Sequence, residues 1–266
     1  MFAMTAAEQE IRVLNDVYQR LVRHFELEGT AKALVFLAGV LLCIAVPYLL
    51  GSLNPAIVFS KLIYRDDIRN HGSGNAGTTN MLRTFGLKAA ALTLICDFLK
   101  AILAVWFGLL IMGSVGGTSI AGFFVVFGHL FPVFYRFKGG KGVACAAMVA
   151  LAIEPWIFVF LLLIFLVVAI GTRYVSLASI MCALFYPLLF RAFAGDVPFS
   201  ILMAFMIMAF VLFMHRENFK RIQNRTESKL DLSKFSLKRR KKATEESAAE
   251  EAESASAEPE SSDEMK

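Results

Sequence analysis

The chain lacks the short signatures that mark many hydrolytic and transfer enzymes. None of its four histidines has an aspartate five positions on; Gly29, Ala76, Phe134 and Lys220 stand there instead. The His-x4-Asp dyad of many glycerolipid acyltransferases is therefore missing. There is no serine inside a Gly-x-Ser-x-Gly turn and no His, Cys and carboxylate set at metal-ligand spacing, so no metal site is expected. The cysteines Cys43, Cys96, Cys145 and Cys182 lie inside apolar runs without Cys-x-x-Cys spacing and read as small buried hydrophobes. Charge is scarce as well. Asp, Glu, Lys and Arg make up 18% of 266 residues against 57% hydrophobic, where a soluble chain has about a quarter charged. That balance excludes an ordinary soluble domain and points to an all-α polytopic membrane protein, for which no nucleic-acid partner is expected. No short apolar segment near the start carries a signal-peptidase site, so no cleaved signal is expected.

The polar residues that remain are concentrated. Residues 1–32 form an N-terminal extension of mixed charge. Ile11, Leu14, Val17, Tyr18 and Leu21 recur there at helical spacing, which predicts an amphipathic helix on the membrane or against a neighbour. Apolar runs follow at about 33–51, 89–112, 119–135, 143–170, 175–190 and 199–214. Lys and Arg cluster at 61–88, at 136–141 and after 215, which assigns these stretches to the cytoplasmic side. Parity then requires the long run 143–170 to be two helices broken at Glu154-Pro155. The result is about seven transmembrane helices spanning residues 33–230, with the N-terminus outside and the C-terminus cytoplasmic. Residues 231–266 form a charged tail. From Ala243 to Lys266 it carries nine acids and one Lys without hydrophobic periodicity, so it is expected to be disordered.

Three polar stretches share the cytoplasmic face. Gly72-Ser73-Gly74-Asn75-Ala76-Gly77-Thr78-Thr79-Asn80-Met81-Leu82-Arg83 sets glycines, small hydrogen-bonding side chains and a guanidinium between apolar flanks. Such a loop before a helix can present N–H groups to a phosphate. In Lys138-Gly139-Gly140-Lys141-Gly142, two ammonium groups flank glycines at a helix start. The spacing is not that of a P-loop, since Gly142 stands where Ser or Thr is required. The third, His215-Arg216-Glu217-Asn218 continuing through Arg221 to Glu227, adds His, Asn and acids to a juxtamembrane basic segment. Asp97 and Lys100 share one helix face as an intramembrane ionisable pair, and Ser176 after Arg173 begins another helix on the same side. A transporter of anionic phosphate esters would also use phosphate-reading loops, but the Gly-rich loop is not repeated. A scaffold acting through its tails leaves the loops unexplained.

Taken together these stretches resemble the bacterial acyl-phosphate:glycerol-3-phosphate acyltransferases, the PlsY family. The resemblance rests on Gly72–Arg83, on Gly128-His129-Leu130-Phe131-Pro132 through Ala144, on Arg173-Tyr174-Val175-Ser176-Leu177 and on His215–Lys229. Asp97 with Lys100, and Gly51-Ser52 at the end of the first span, also match, and about residues 35–230 are covered. The resemblance implies transfer of a fatty acyl group from acyl-phosphate to the sn-1 hydroxyl of glycerol 3-phosphate at the cell membrane, without a cofactor. The implied partners are the two substrates, the bilayer and the soluble acyl-phosphate synthase. On this reading Arg69, Ser73, Gly74, Asn75, Gly77, Thr79, Asn80 and Arg83 face one phosphate. Lys138, Lys141 and the amides of Gly139, Gly140 and Gly142 hold the other phosphate, and Ser176 also contacts substrate. His215, Asn218 and Lys141 act at the reacting groups, with His215 or a substrate phosphate as proton acceptor. Ser52, Asp97, Lys100, His129, Arg173, Glu217, Arg221 and Glu227 support them. Arg225 departs from the family, which usually has Gly there.

Overall fold

The computed structural model describes residues 17–230; residues 1–16 and the tail 231–266 lie outside the described set, and with them Ile11 and Leu14 of the expected amphipathic helix and the acidic segment, while Val17, Tyr18 and Leu21 fall in a described helix. The chain divides into two units, residues 1–227 and 228–266, and of the second only Ser228–Leu230 is described, without regular structure. All described elements in the first unit are helical. A short α1 (Val17–His24) precedes α2 (Gly29–Ser52), α3 (Pro55–Ile63) and α4 (Thr78–Phe85). Then come α5 (Leu87–Met112), α6 (Val115–Leu130), α7 (Val143–Ile153), α8 (Pro155–Thr172), α9 (Val175–Ala194), α10 (Pro198–Met214) and α11 (Arg216–Gln223).

The seven apolar helices α2 and α5–α10 stand where the apolar runs predict them. The break at Glu154 is present: its carboxylate caps α8 by accepting from Trp156 N, and Pro155 takes the first helical position, where no donor is lost. By length and composition, five stretches can cross a bilayer, with α10 and α11 adding a sixth if taken together across their 53° bend. The eleven-residue α7 is shorter, about 16 Å of helix against a hydrocarbon core of about 30 Å.

α6 is the centre of the bundle. Twelve of its sixteen residues are buried, whereas α8 fully buries only Ile157, Leu161 and Ala169 and leaves the rest partly or wholly exposed. Glycines set the α2–α6 crossing. A Cβ on Gly51 would lie 2.2 Å from the Val125 carbonyl oxygen, and one on Gly128 2.2 Å from that of Tyr48. Small residues permit such close helix packing where lipid supplies no hydrophobic drive. Tyr48 Oη donates to Phe131 O, and Ser52 Oγ accepts from Val133 N, so the end of α2 is sewn to the loop after α6.

The connections of α2 to α5, α6 to α7, α8 to α9 and α10 to α11 all fall at one end of the bundle. Two short helices were not expected in the first of them. Asn54 caps α3 by accepting from Ile57 N, with Pro55 next, and Gly77 precedes α4. α3 continues the apolar stretch of α2 past the Asn54-Pro55 break and α4 runs into that of α5, so composition does not mark either as a separate helix.

Candidate active site

The loop before α4 is built around Asn80 and Asn54. The buried Asn80 accepts from Ser73 N and donates to the carbonyls of Ile68 (3.1 Å) and His71 (2.9 Å). Asn54, fully buried, donates to Ala76 O at 3.2 Å. Gly72 (φ 57°) passes so close to Asn80 Oδ1 that a Cβ would meet it at 2.3 Å. The amides of Ser73, Gly74 and Gly77 are spent inside the loop, on Asn80 Oδ1, His71 O and Asn75 O. What the loop offers outward is the first turn of α4, where Thr78 and Thr79 have no carbonyl behind them to accept their N–H groups. The exposed Ser73, Thr79 and Arg83 side chains lie beside that turn.

Arg69 is occupied differently from the expectation of a phosphate ligand. Its Nε and Nη2 grip Asp67, and its Nη1 donates to Tyr135 O and Lys138 O. The guanidinium beside Asp67 holds that carboxyl down to about 2 against some opposing burial. Arg69 is thus a tie between two loops. The same holds for the paired glycines: Gly139 N donates to Leu130 O and Gly140 N to His129 O, so neither amide is left for a phosphate. Their lack of side chains is needed because Cβ atoms there would meet His129 O at 2.0 Å and His129 Nε2 at 2.1 Å. Gly142 (φ 77°) opens α7.

Lys141, Asn218, Glu227 and Arg221 form one chain of charge-assisted contacts. Lys141 Nζ donates to Asn218 Oδ1, Asn218 Nδ2 to Glu227 Oε1 at 2.7 Å, and Arg221 Nε to Glu227 Oε2 at 2.7 Å. Burial would raise the Glu227 carboxyl, but hydrogen bonds from Arg221 and Asn218 outweigh it and keep it below its usual range; the buried Ser176 lies beside it. Burial pushes the Lys141 ammonium down to about 8; Glu227 opposes the shift and Arg221 and Arg83 add to it, which also places Arg83 near this group. His215, just past the end of α10, is buried. Its Nδ1–H donates to Val211 O at 2.8 Å, leaving Nε2 as the basic nitrogen. Burial and the neighbouring Lys141 push this imidazole down to about 4, so it is neutral near pH 7.

Asp97, Lys100 and His129 are buried behind these loops. Lys100 Nζ lies 2.9 Å from Asp97 Oδ1 and from His129 Nδ1, and donates to the carbonyls of Gly51 and Leu53 at the end of α2. Asp97, His129 and Cys145 place ligand atoms within 4.8 Å of one another. The Lys100 ammonium already supplies the positive charge such a set would seek in a metal. The group braces α2, α5 and α6. Through Leu53 it reaches Asn54, and through His129 it reaches Gly140.

The structure therefore gathers Lys141, Ser176, His215, Asn218, Arg221, Glu227 and Arg83 at one spot. Ser52, Asn80, Arg69, Asp97, Lys100 and His129 form the frame around it. Glu217 stands apart: it is exposed and pairs with Lys220 (3.5 Å) and Arg216 (3.9 Å) on the outer face of α11. Arg173 closes α8 in the left-handed conformation (φ 63°) with its side chain exposed. Asn54 and Asp67 were not anticipated. An Asn-Pro step at a helix start was the only signal for the first, and an Asp two residues before an Arg for the second.

A family model described as glycerol-3-phosphate acyltransferase matches residues 41–225. A glycerol-3-phosphate acyltransferase of Thermoanaerobacter sp. (strain X514) is 43% identical over 188 residues, 70% of this chain and 92% of the relative. One from Paraburkholderia phytofirmans is 44% identical over 195 residues, 71% and 90% of the two chains. Among solved structures, PlsY (YgiH), an integral membrane glycerol 3-phosphate acyltransferase, is similar in its glycerol 3-phosphate form, with TM-score 0.69 and 36% identity over 74% of this chain and 98% of that one. Its lysophosphatidic acid form gives 0.66 and 35% over 72% and 95%.

Proposed function

The chain belongs to the glycerol-3-phosphate acyltransferase family, as a multi-pass membrane member related to PlsY, and from that premise we propose its donor, product and working residues. The donor is acyl-phosphate, and the product is 1-acylglycerol 3-phosphate with release of inorganic phosphate. One observation carries this reading. Lys141, Asn218, Glu227, Arg221 and Ser176, with His215 beside them, meet at the end of the bundle where a Gly-rich loop opens a helix, and among the described residues no Cys or Ser pairs with a histidine base there.

Acyl-phosphate is a mixed anhydride with a good leaving group, so a covalent enzyme intermediate is unnecessary. The sn-1 hydroxyl oxygen forms a bond to the acyl carbonyl carbon, and the bond from that carbon to the phosphate oxygen breaks. Positioning and stabilisation of developing charge supply the acceleration. Lys141, Ser176 and Asn218 hold the glycerol 3-phosphate. The α4 amides with Ser73, Thr79 and Arg83 face the donor phosphate. His215 Nε2 accepts the hydrogen bond of the attacking hydroxyl and orients it. An imidazole held near 4 is a weaker base than a phosphate whose second pKa is about 6, so the proton ends on the departing phosphate.

The basic loops support a cytoplasmic active site and an outside N-terminus, which with α7 counted makes seven spans of the cell membrane. A soluble acyl-phosphate synthase is the partner that such a donor calls for. Purified protein given labelled glycerol 3-phosphate tests the donor. Lysophosphatidic acid should form with acyl-phosphate and not with acyl-CoA; the reverse result sinks the proposal.

A further inference from the structure

The loop between α6 and α7 does more than carry Lys141. After Leu130 the chain runs through a 3₁₀ turn, Val133–Tyr135, and doubles back, with Phe137 N donating to Pro132 O at 3.0 Å. Gly139 and Gly140 then pair with the last carbonyls of α6. The tip exposes Val133, Phe134 and Phe137, the two phenylalanines at 55% and 58%. Arg136 and Lys138 alternate with them and are exposed. No acidic residue occurs between Asp97 and Glu154 in the sequence, and the nearby Asp67 is taken up by Arg69, so Arg136 and Lys138 leave the tip cationic.

Its depth is fixed by its neighbours. Val133 N donates to Ser52 Oγ, the last residue of α2, and Phe131 O accepts from Tyr48, one turn earlier in that helix. The tip therefore stands level with the end of α2, a helix long enough by itself to cross the hydrocarbon core, which puts it within reach of the headgroup layer. Arg136 and Phe137 both adopt left-handed backbone (φ 57° and 58°), unfavourable for side-chain-bearing residues. Arg69 clamps the Tyr135 and Lys138 carbonyls on either side of them and holds that shape.

We propose that the 133–138 hairpin is an interfacial foot, with Phe134 and Phe137 seated at the headgroup boundary and Arg136 and Lys138 on anionic phospholipid headgroups. Aromatic rings favour that layer, and cations near an anionic leaflet are attracted to it. The foot shares a short covalent path with Lys141 and a hydrogen-bonded one, through Arg69, with the loop before α4. Lipid charge at the membrane surface is thereby linked to the placement of two walls of the site.

The test uses the full chain in vesicles of phosphatidylcholine alone or mixed with phosphatidylglycerol. Trp106 and Trp156 are replaced by Phe, and Phe137→Trp is introduced as the probe. Its emission should be blue-shifted and quenched by lipids brominated near the headgroup. Quenching should be stronger in the anionic vesicles, and Arg136→Gln should weaken the insertion equilibrium there about fivefold. Phe134→Trp gives the same readout if the first probe disturbs folding. Water-like emission without quenching from both probes overturns the proposal. So does emission that shifts only when a soluble protein is added, which would make the tip a protein-docking surface.

Discussion

Arg69 binds Asp67 through both carboxylate oxygens, Nε to Oδ1 at 2.9 Å and Nη2 to Oδ2 at 2.6 Å, while its remaining nitrogen reaches across to the Tyr135 and Lys138 carbonyls. Asp67→Asn removes the charge that aims the guanidinium. The expected loss is roughly 1–2 kcal/mol of stability, with a raised KM for glycerol 3-phosphate as the two loops loosen. Because the folded Asp67 sits near 2 and an unfolded one near 3.9, this stabilisation is present above about pH 4 and is lost as pH falls through about 2. Thermal unfolding in detergent and steady-state kinetics check both; wild-type values for each would remove Asp67 from this role.

Lys141 makes activity and stability move in opposite directions with pH. Its folded value near 8 lies below the ordinary lysine value near 10.4, so the unfolded chain binds the extra proton between the two. Stability therefore rises with pH across that window. Activity, which needs the ammonium, should fall as pH passes about 8. Lys141→Arg should move this alkaline limb upward, and Lys141→Ala should lower kcat/KM about a hundredfold or more. A pH–rate profile flat to pH 10 in the wild type would contradict the assignment.

Gly51→Ala and Gly128→Ala probe the α2–α6 crossing. Each added methyl would meet a backbone carbonyl oxygen at 2.2 Å, which no rotamer change relieves. Each should cost about 1–3 kcal/mol, and activity should fall with it because Lys100 and Ser52 hang from the same helix end. A Tm unchanged in both variants would mean the helices can separate there without penalty.

The long helices were readable in the sequence because apolar runs of spanning length have few other uses, and the Glu154-Pro155 break followed from charge parity. The site's donors were readable too, as glycines, lysines and asparagines crowded into three loops. What composition does not carry is how each donor is already spent. Asn80 and Arg69 look like phosphate ligands by residue type, yet backbone carbonyls and Asp67 saturate them. Gly139 and Gly140 look like open amides, yet α6 takes them. Asn54 and α11 escaped notice because a cap and a two-turn helix have no periodicity longer than their own loops.

Arg225 stands where a helix end favours glycine. It follows the end of α11 with φ 58°, Thr226 N bonding to Arg221 O and Arg225 N to Ile222 O. This is the Schellman arrangement, whose left-handed position favours glycine. Arg225→Gly should therefore raise stability by up to about 1 kcal/mol, read as a higher Tm, with turnover unchanged. A lower Tm would show that the Arg225 side chain contributes more than its backbone strain costs.

His215 separates two accounts of the proton. Val211 O fixes Nδ1 as the donor, so only Nε2 can meet the attacking hydroxyl, and with its value near 4 the ring stays neutral across the working range. If His215 orients the hydroxyl while the departing phosphate takes the proton, the rate should show no histidine limb between pH 5 and 7. His215→Ala should then reduce kcat roughly tenfold to a hundredfold, and His215→Asn, whose amide oxygen can still accept a hydrogen bond, should recover part of it. If His215 is instead the obligatory base, both variants should fall together by about 10²–10⁴. A solvent deuterium effect on kcat would then disappear in the variants. Pre-steady-state rates of lysophosphatidic acid formation at saturating substrates distinguish the two, because they report chemistry without product release.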